Sequence, residues 1–213
     1  MIITEGLTEN IIQGEESKVI RLVQQAVQNK IPVKEILNDG LIAAMNVVGM
    51  KFKDGELFVP EVLRAARAMK AGMGVLRPFF EKSGIQSIGK VVIGTVQGDL
   101  HDIGKNLVAM MVESNGFEVI DLGVDVPPEK FVEALKTNQA DVCMMSALLT
   151  TTMPMMKETI DAIQEAGLRE KVKTMVGGAP VTQHFADTIG ADGYGSNAGA
   201  AVEMLKILLA RPS

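Results

Sequence analysis

The chain has 213 residues, 47% of them hydrophobic, and a formal net charge of −5 at pH 7. That length suits one large or two modest domains with ample apolar material for a core. The weak acidity, without a basic tract or aromatic-basic interleaving, argues against a nucleic-acid partner. No apolar run reaches membrane-spanning length, the N-terminal residues lack the cationic region of a signal peptide, and the single cysteine excludes an intramolecular disulfide. A cytoplasmic protein with no membrane partner is expected. The 14 methionines, set against no tryptophan, read as adaptable core filling.

From Thr8 to about Ser83 the periodicity is helical. Val19, Leu22, Val23, Ala26 and Val27 fall at i, i+3, i+4 spacing on one face. Pro32 can open a further helix through Ile36, Leu37, Leu41, Ala44, Met45 and Val48, with Gly40 and Gly49 as weak points. Lys53-Asp54-Gly55-Glu56 reads as a turn. Pro60 then opens a long segment through Val62, Leu63, Ala66, Met69, Met73 and Leu76, which Pro78 should kink or end. A bundle of about four helices is predicted over 1–88, with Ser83–Gly89 as a short tether.

Over 89–213 short β-rich runs alternate with helical ones. Strands are predicted at Val91–Val96, Glu118–Leu122, Val142–Ala147, Val172–Val176 and near Gly193-Tyr194. Helices are predicted at Ile103–Asn115, Pro128–Asn138, Met153–Ala166, Thr182–Ile189 and Ala198–Leu209. Such alternation implies right-handed crossovers and a doubly wound, five-stranded parallel sheet of flavodoxin or Rossmann type. The fold class is therefore α/β, preceded by a helical domain.

Ligands of open α/β sheets bind at the carboxyl ends of the strands. Three loops there stand out: Gln97-Gly98-Asp99-Leu100-His101-Asp102-Ile103-Gly104 after the first strand, Ser146-Ala147-Leu148-Leu149-Thr150-Thr151-Thr152 after the third, and Gly177-Gly178-Ala179-Pro180 after the fourth. Asp99 can hydrogen-bond the His101 ring, and Gly104 leaves room for a bulky group beside the backbone. Each residue also has an ordinary structural use. Asp99, Asp102, Ser146 and the threonines can cap helices, and Gly177-Gly178 can form a simple turn. No phosphate-loop pattern opens the first helix of the sheet domain.

Asp99-x-His101-x-x-Gly104, then Ser146-x-Leu148, then Gly177-Gly178 resembles the cobalamin-binding signature of methyl-transferring corrinoid proteins. The intervals agree as well, with 41 residues between Gly104 and Ser146 and 28 between Leu148 and Gly177. Met50 to Pro60, continued by Arg67-Ala68-Met69-Lys70, resembles the cap region of that family's helical domain. Nearly the whole chain is similar to the free-standing corrinoid proteins serving methylamines, methanol or methoxylated compounds.

That resemblance implies a cobalamin bound base-off/His-on, with His101 replacing the cofactor's dimethylbenzimidazole as the lower ligand of cobalt. Asp99 orients the ring and Thr152 ends the proton relay. Gly98, Leu100, Asp102, Ile103 and Gly104 complete the first cofactor loop. Ser146, Leu148, Thr150, Gly177, Gly178 and Ala198 contact the nucleotide tail, and Phe52 and Val59 cap the upper corrin face. No side chain is catalytic in its own right. The implied function is a methyl shuttle: cob(I)alamin takes a methyl group from a substrate:corrinoid methyltransferase, and methylcob(III)alamin delivers it to a corrinoid:acceptor methyltransferase with a pterin or thiol acceptor. A reductive activase is a further implied partner. Three other readings share parts of the pattern: the cobalamin subunit of a radical mutase, a cobalamin-dependent sensor, and a nucleotide-binding flavodoxin-like module.

Overall fold

A computed structural model describes residues 2–83 and 87–210. The chain divides into two compact units, Met1–Ser87 with Ser114–Gly116, and Ile88–Glu113 with Phe117–Ser213.

The first unit is helical: α1 (Ile2–Gln13), α2 (Glu16–Gln28), α3 (Val33–Glu35), a π-helical stretch Ile36–Ile42, α4 (Ala43–Lys53) and α5 (Val59–Ser83). Its core joins Leu7 and Ile11 of α1, Val19, Val23 and Ala26 of α2, Met45 and Val48 of α4, and Val62, Met69 and Leu76 of α5, all fully buried. The weak point expected at Gly40 is a widened π turn. A Cβ there would lie 2.9 Å from Leu7 Cδ1, so glycine permits the close approach of α1. Pro78 does not end α5, which continues to Ser83. Pro78 and Gly74 are both exposed, so water can take the Gly74 carbonyl that a proline nitrogen cannot serve. The start of α5 is held by Glu61, whose carboxylate accepts the Phe58 N–H at 2.8 Å, half of a capping box. Of the tether expected at Ser83–Gly89, residues 84–86 lie outside the described residues.

The second unit alternates β1 (Lys90–Thr95), α6 (Ile103–Glu113), β2 (Glu118–Asp121), α7 (Pro128–Asn138), β3 (Val142–Ser146), α8 (Pro154–Glu165), β4 (Lys173–Gly177), α9 (Gln183–Ile189), β5 (Gly193–Gly195) and α10 (Ala198–Leu209). All strand pairs are parallel, in the order β2-β1-β3-β4-β5. This is the doubly wound sheet expected from the alternation, in its flavodoxin-like order. The inner strands are buried on both faces, which explains their near-continuous apolar sequence. Val92, Cys143, Met145 and Val176 join Phe131 and Leu135 of α7, Met156, Ile160 and Ile163 of α8, and Ala186 and Ile189 of α9 in one core cluster. The alternate residues Val91, Ile93, Val142, Met144 and Met175 are also buried, on the opposite face, where α6 and α10 pack on each other. The sheet order puts β1 and β3 side by side at the switch point, so the loops after them face one crevice.

Candidate functional site

Asp99 organises the rim of the sheet. It follows β1, is fully buried, and collects hydrogen bonds from two loops. Oδ1 accepts the His101 backbone N–H at 3.1 Å and lies 2.7 Å from His101 Nδ1. Oδ2 accepts the Leu148 N–H at 2.7 Å and the Leu149 N–H at 3.2 Å, both from the loop after β3. The Thr152 hydroxyl lies 2.9 Å from Asp99 Oδ2 and equally 2.9 Å from the Leu149 carbonyl, and its single proton serves one of them at a time. Burial favours the neutral carboxyl. The donors from Leu148, the His101 ring, the His101 N–H and Thr152 outweigh it and hold Asp99 well below the usual carboxylate range.

An ionised Asp99 is an acceptor only, so His101 Nδ1 carries a proton, and in the neutral ring Nε2 is the nitrogen that keeps its lone pair. The His101 side chain is 51% exposed. The buried Thr95 hydroxyl fixes the other side of this residue by donating to the His101 carbonyl at 2.8 Å. Around the imidazole the same two loops expose Leu100 (72%), Ile103 (80%), Leu148 (43%) and Leu149 (42%). Four large apolar side chains left in water beside one histidine nitrogen make a surface suited to a broad apolar ligand. Gly104 is exposed, and a Cβ added there would meet nothing within 4 Å, so the backbone is open to close approach.

The remaining sequence-derived residues fall into separate places. Gly98 takes φ +81° beside Asp99, and Asp102 accepts the Asn106 side-chain amide at 3.1 Å at the start of α6. Ser146 ends β3 and its carbonyl accepts the Val96 N–H at 3.0 Å, while Thr150 is exposed in the following loop. Gly178 has φ +128°, and a Cβ there would stand 1.9 Å from the Ala147 carbonyl oxygen; at Gly177 it would stand 3.0 Å from the Gly195 carbonyl. The chain's own backbone therefore demands glycine at 178 before any ligand does, while at 177 the contact is merely tight. Ala198, buried, opens α10 behind the Asn197 cap. Phe52 lies in the last turn of α4 and Val59 begins α5, both within the helical unit. Cys143 is buried in β3, with its thiol pushed upward by burial, and His184 is exposed on α9. Thr95, Asp125 and the Leu149 N–H, which also shape the site, belong to no motif. A hydroxyl closing the apolar run Val91–Gly94 was the one available signal among them.

Residues 89–203 match the family described as B12 binding domain, and residues 3–77 match a second family of the same description. The chain belongs to the B12-binding corrinoid proteins of methyltransferase systems. It is 42% identical over 214 residues to a corrinoid protein of Desulfitobacterium hafniense strain Y51, with 99% of each chain covered. It is 48% identical over 206 residues to dimethylamine corrinoid protein 1 of Methanosarcina mazei, covering 96% of this chain and 95% of the relative. Among solved structures, a cobalamin-binding protein of Desulfitobacterium hafniense DCB-2 aligns with TM-score 0.84 at 31% identity, covering 98% of this chain and 99% of that one. A chain of the methanol:cobalamin methyltransferase complex of Methanosarcina barkeri aligns with TM-score 0.83 at 33% identity over 99% and 81% of the two chains.

This corrinoid protein thus binds its cofactor with a domain whose rim offers one oriented imidazole nitrogen inside an apolar surround. That donor set fits a corrinoid, which brings the other nitrogen ligands of its cobalt in the macrocycle. Among the described residues no cluster of three or more His, Cys, Asp or Glu is arranged to hold a bare ion, and no helix is long and apolar enough to cross a membrane.

Proposed function

We propose that this corrinoid protein carries methyl groups between two methyltransferases on a cobalamin held base-off, with His101 Nε2 as the lower axial ligand. The observation that carries the reading is the buried Asp99 carboxylate, which fixes the proton on Nδ1 and leaves Nε2 as a lone-pair donor among Leu100, Ile103, Leu148 and Leu149. A bound corrinoid supplies the cobalt that accepts and surrenders the methyl group.

The chain's own residues tune that chemistry. With Nδ1 on Asp99 Oδ1, the ring is held in one orientation by a carboxylate that Leu148, Leu149 and Thr152 fix in turn. Thr152 can turn its hydroxyl between Asp99 and the Leu149 carbonyl, both at 2.9 Å, and so adjusts how strongly Asp99 holds the ring. Ser146, Leu148, Thr150, Gly177, Gly178 and Ala198 are assigned to the nucleotide tail, and Phe52 and Val59 to the cap over the upper corrin face.

The relatives support a methyltransferase as donor partner. One is named a dimethylamine corrinoid protein, and a similar structure comes from a methanol:cobalamin methyltransferase complex. A small methylated nitrogen or oxygen compound is thus the methyl source, presented by a separate enzyme. A second methyltransferase with a pterin or thiol acceptor completes the cycle, and a reductive activase restores oxidised cofactor. The test is reconstitution with hydroxocobalamin. The wild-type visible spectrum should show base-off/His-on cofactor and His101→Ala should lose that signature; identical spectra would reject His101 as the ligand.

A further inference from the structure

Edge strand β2 and the loop after it carry none of the family's motif residues, yet they grip segment 98–105 at both ends. At the first end, Asp125 Oδ1 accepts the Gly98 N–H at 2.7 Å. The Asp125 N–H in turn donates to the Asp99 carbonyl at 2.9 Å. Asp125 sits at φ +53°, a left-handed conformation that costs energy in a non-glycine residue. The loop is further stitched to β1, because Thr95 N–H donates to the Gly123 carbonyl and Val126 N–H to the Thr95 carbonyl, each at 3.0 Å. At the second end, the buried Lys105 ammonium lies 2.6 and 2.5 Å from the two Asp121 carboxylate oxygens. Asp121 Oδ1 also accepts the Gly123 N–H at 2.9 Å, closing the circuit back to the same loop.

We infer that Asp125 is a positioning residue for the axial-ligand histidine: by clamping Gly98 and the Asp99 backbone it sets the direction in which Asp99 holds the His101 ring. This rests on the reading of His101 as the cobalt ligand. The loop after β3 fixes the Asp99 carboxylate oxygens but not its main chain. The Asp125 bracket fixes that main chain on either side of the Gly98–Asp99 peptide. A carboxylate aimed from a fixed backbone holds its ring in one direction, whereas one on a mobile backbone does not. Asp125 is exposed, so its bent backbone and bidirectional hydrogen bonding serve the rim and not the core.

The test uses the full chain in two states. Without cofactor, amide exchange is read at Gly98. With hydroxocobalamin loaded and reduced to cobalt(II), electron paramagnetic resonance reads the ratio of nitrogen-ligated to unligated cobalt, in a buffer acid enough for both forms to coexist in wild type. Asp125→Gly keeps the left-handed backbone and removes the carboxylate. It should expose the Gly98 amide and lower the ligated ratio roughly fivefold, the weight of one ordinary hydrogen bond. Asp125→Asn keeps an acceptor oxygen and should restore both. A faster Gly98 amide with an unchanged ligated ratio would overturn the inference, as would failure of Asp125→Asn to restore the ratio. Nitrogen-15 histidine separates this from the underlying reading: if the cobalt lines keep the triplet of ordinary nitrogen, the cofactor's own base is the ligand, the axial-ligand assignment has failed and the Asp125 role falls with it.

Discussion

Two aspartates at opposite ends of the same sheet collect donors in the same manner and reach different ends. Asp192, just before β5 at the foot, accepts from Arg169 Nη1 at 2.8 Å, from the Thr174 N–H at 2.7 Å and from the Thr174 hydroxyl at 3.0 Å. Burial opposes its ionisation, but Arg169 and Thr174 hold its carboxyl below the usual range. Asp99, at the rim, gathers more donors, from His101, Leu148, Leu149 and Thr152, and includes a half-exposed imidazole among them. The foot cluster is tied to the fold on its other side: Arg169 Nη2 donates to the Gly190 carbonyl at 2.9 Å, and the Lys173 ammonium stands 3.8 Å from Asp192 Oδ1. The rim cluster leaves half of its imidazole side chain exposed. One arrangement of charge thus ties β4 to β5, while its counterpart presents a single donor atom outward.

Substitutions can break that contrast, and the largest effect is expected at the rim glycine. Gly178→Ala forces a Cβ to within 1.9 Å of the Ala147 carbonyl oxygen at a positive φ, and should cost about 3 kcal/mol or more in denaturant unfolding of the protein without cofactor. A loss of cobalamin binding with unchanged stability would mean instead that Gly178 serves the ligand alone. Asp99→Asn turns an amide N–H₂ toward groups that are themselves donors, and should cost about 2–3 kcal/mol while abolishing the His-on spectrum. Asp192→Asn should cost about 2 kcal/mol and leave that spectrum unaltered; a spectral change would show that the two ends are coupled. Thr152→Val, which removes one donor to Asp99 and keeps the shape, should cost about 1 kcal/mol and shift the ligated fraction modestly. Acid adds a further comparison. Both aspartates give up their protons more readily folded than unfolded, so the unfolded chain binds more protons and stability falls as pH drops below about 4. Asp99→Asn and Asp192→Asn should each flatten that fall in unfolding curves measured across the acid range.

The helices and strands were legible wherever burial imposes a period. Pro128–Asn138 and Ala198–Leu209 fall at the expected bounds, and the strands lie within a residue of theirs. The rim was legible because Asp99, His101 and Gly104 follow a buried strand at close spacing. Less visible were features set by tertiary contact. The π turn at Ile36–Ile42 depends on how closely α1 approaches Gly40, and the run of α5 past Pro78 depends on solvent at Gly74. Asp125 and Lys105 escaped because their partners, Gly98 and Asp121, lie 27 and 16 residues away. Periodicity carries no information about such pairs. At Gly178 the Ala147 carbonyl excludes a side chain whatever the ligand, a contact between two loops that the sequence spacing does not reveal.

The central claim is that His101, aimed by Asp99, gives its Nε2 to cobalt, and isotopic labelling of histidine tests it most directly. The chain contains two histidines, so His184→Gln leaves His101 as the sole labelled site. With nitrogen-15 histidine and cofactor reduced to cobalt(II), each cobalt hyperfine line should split into a doublet, in place of the triplet given by ordinary nitrogen. A triplet that persists with labelled histidine would place the cofactor's own base on the cobalt and contradict the account.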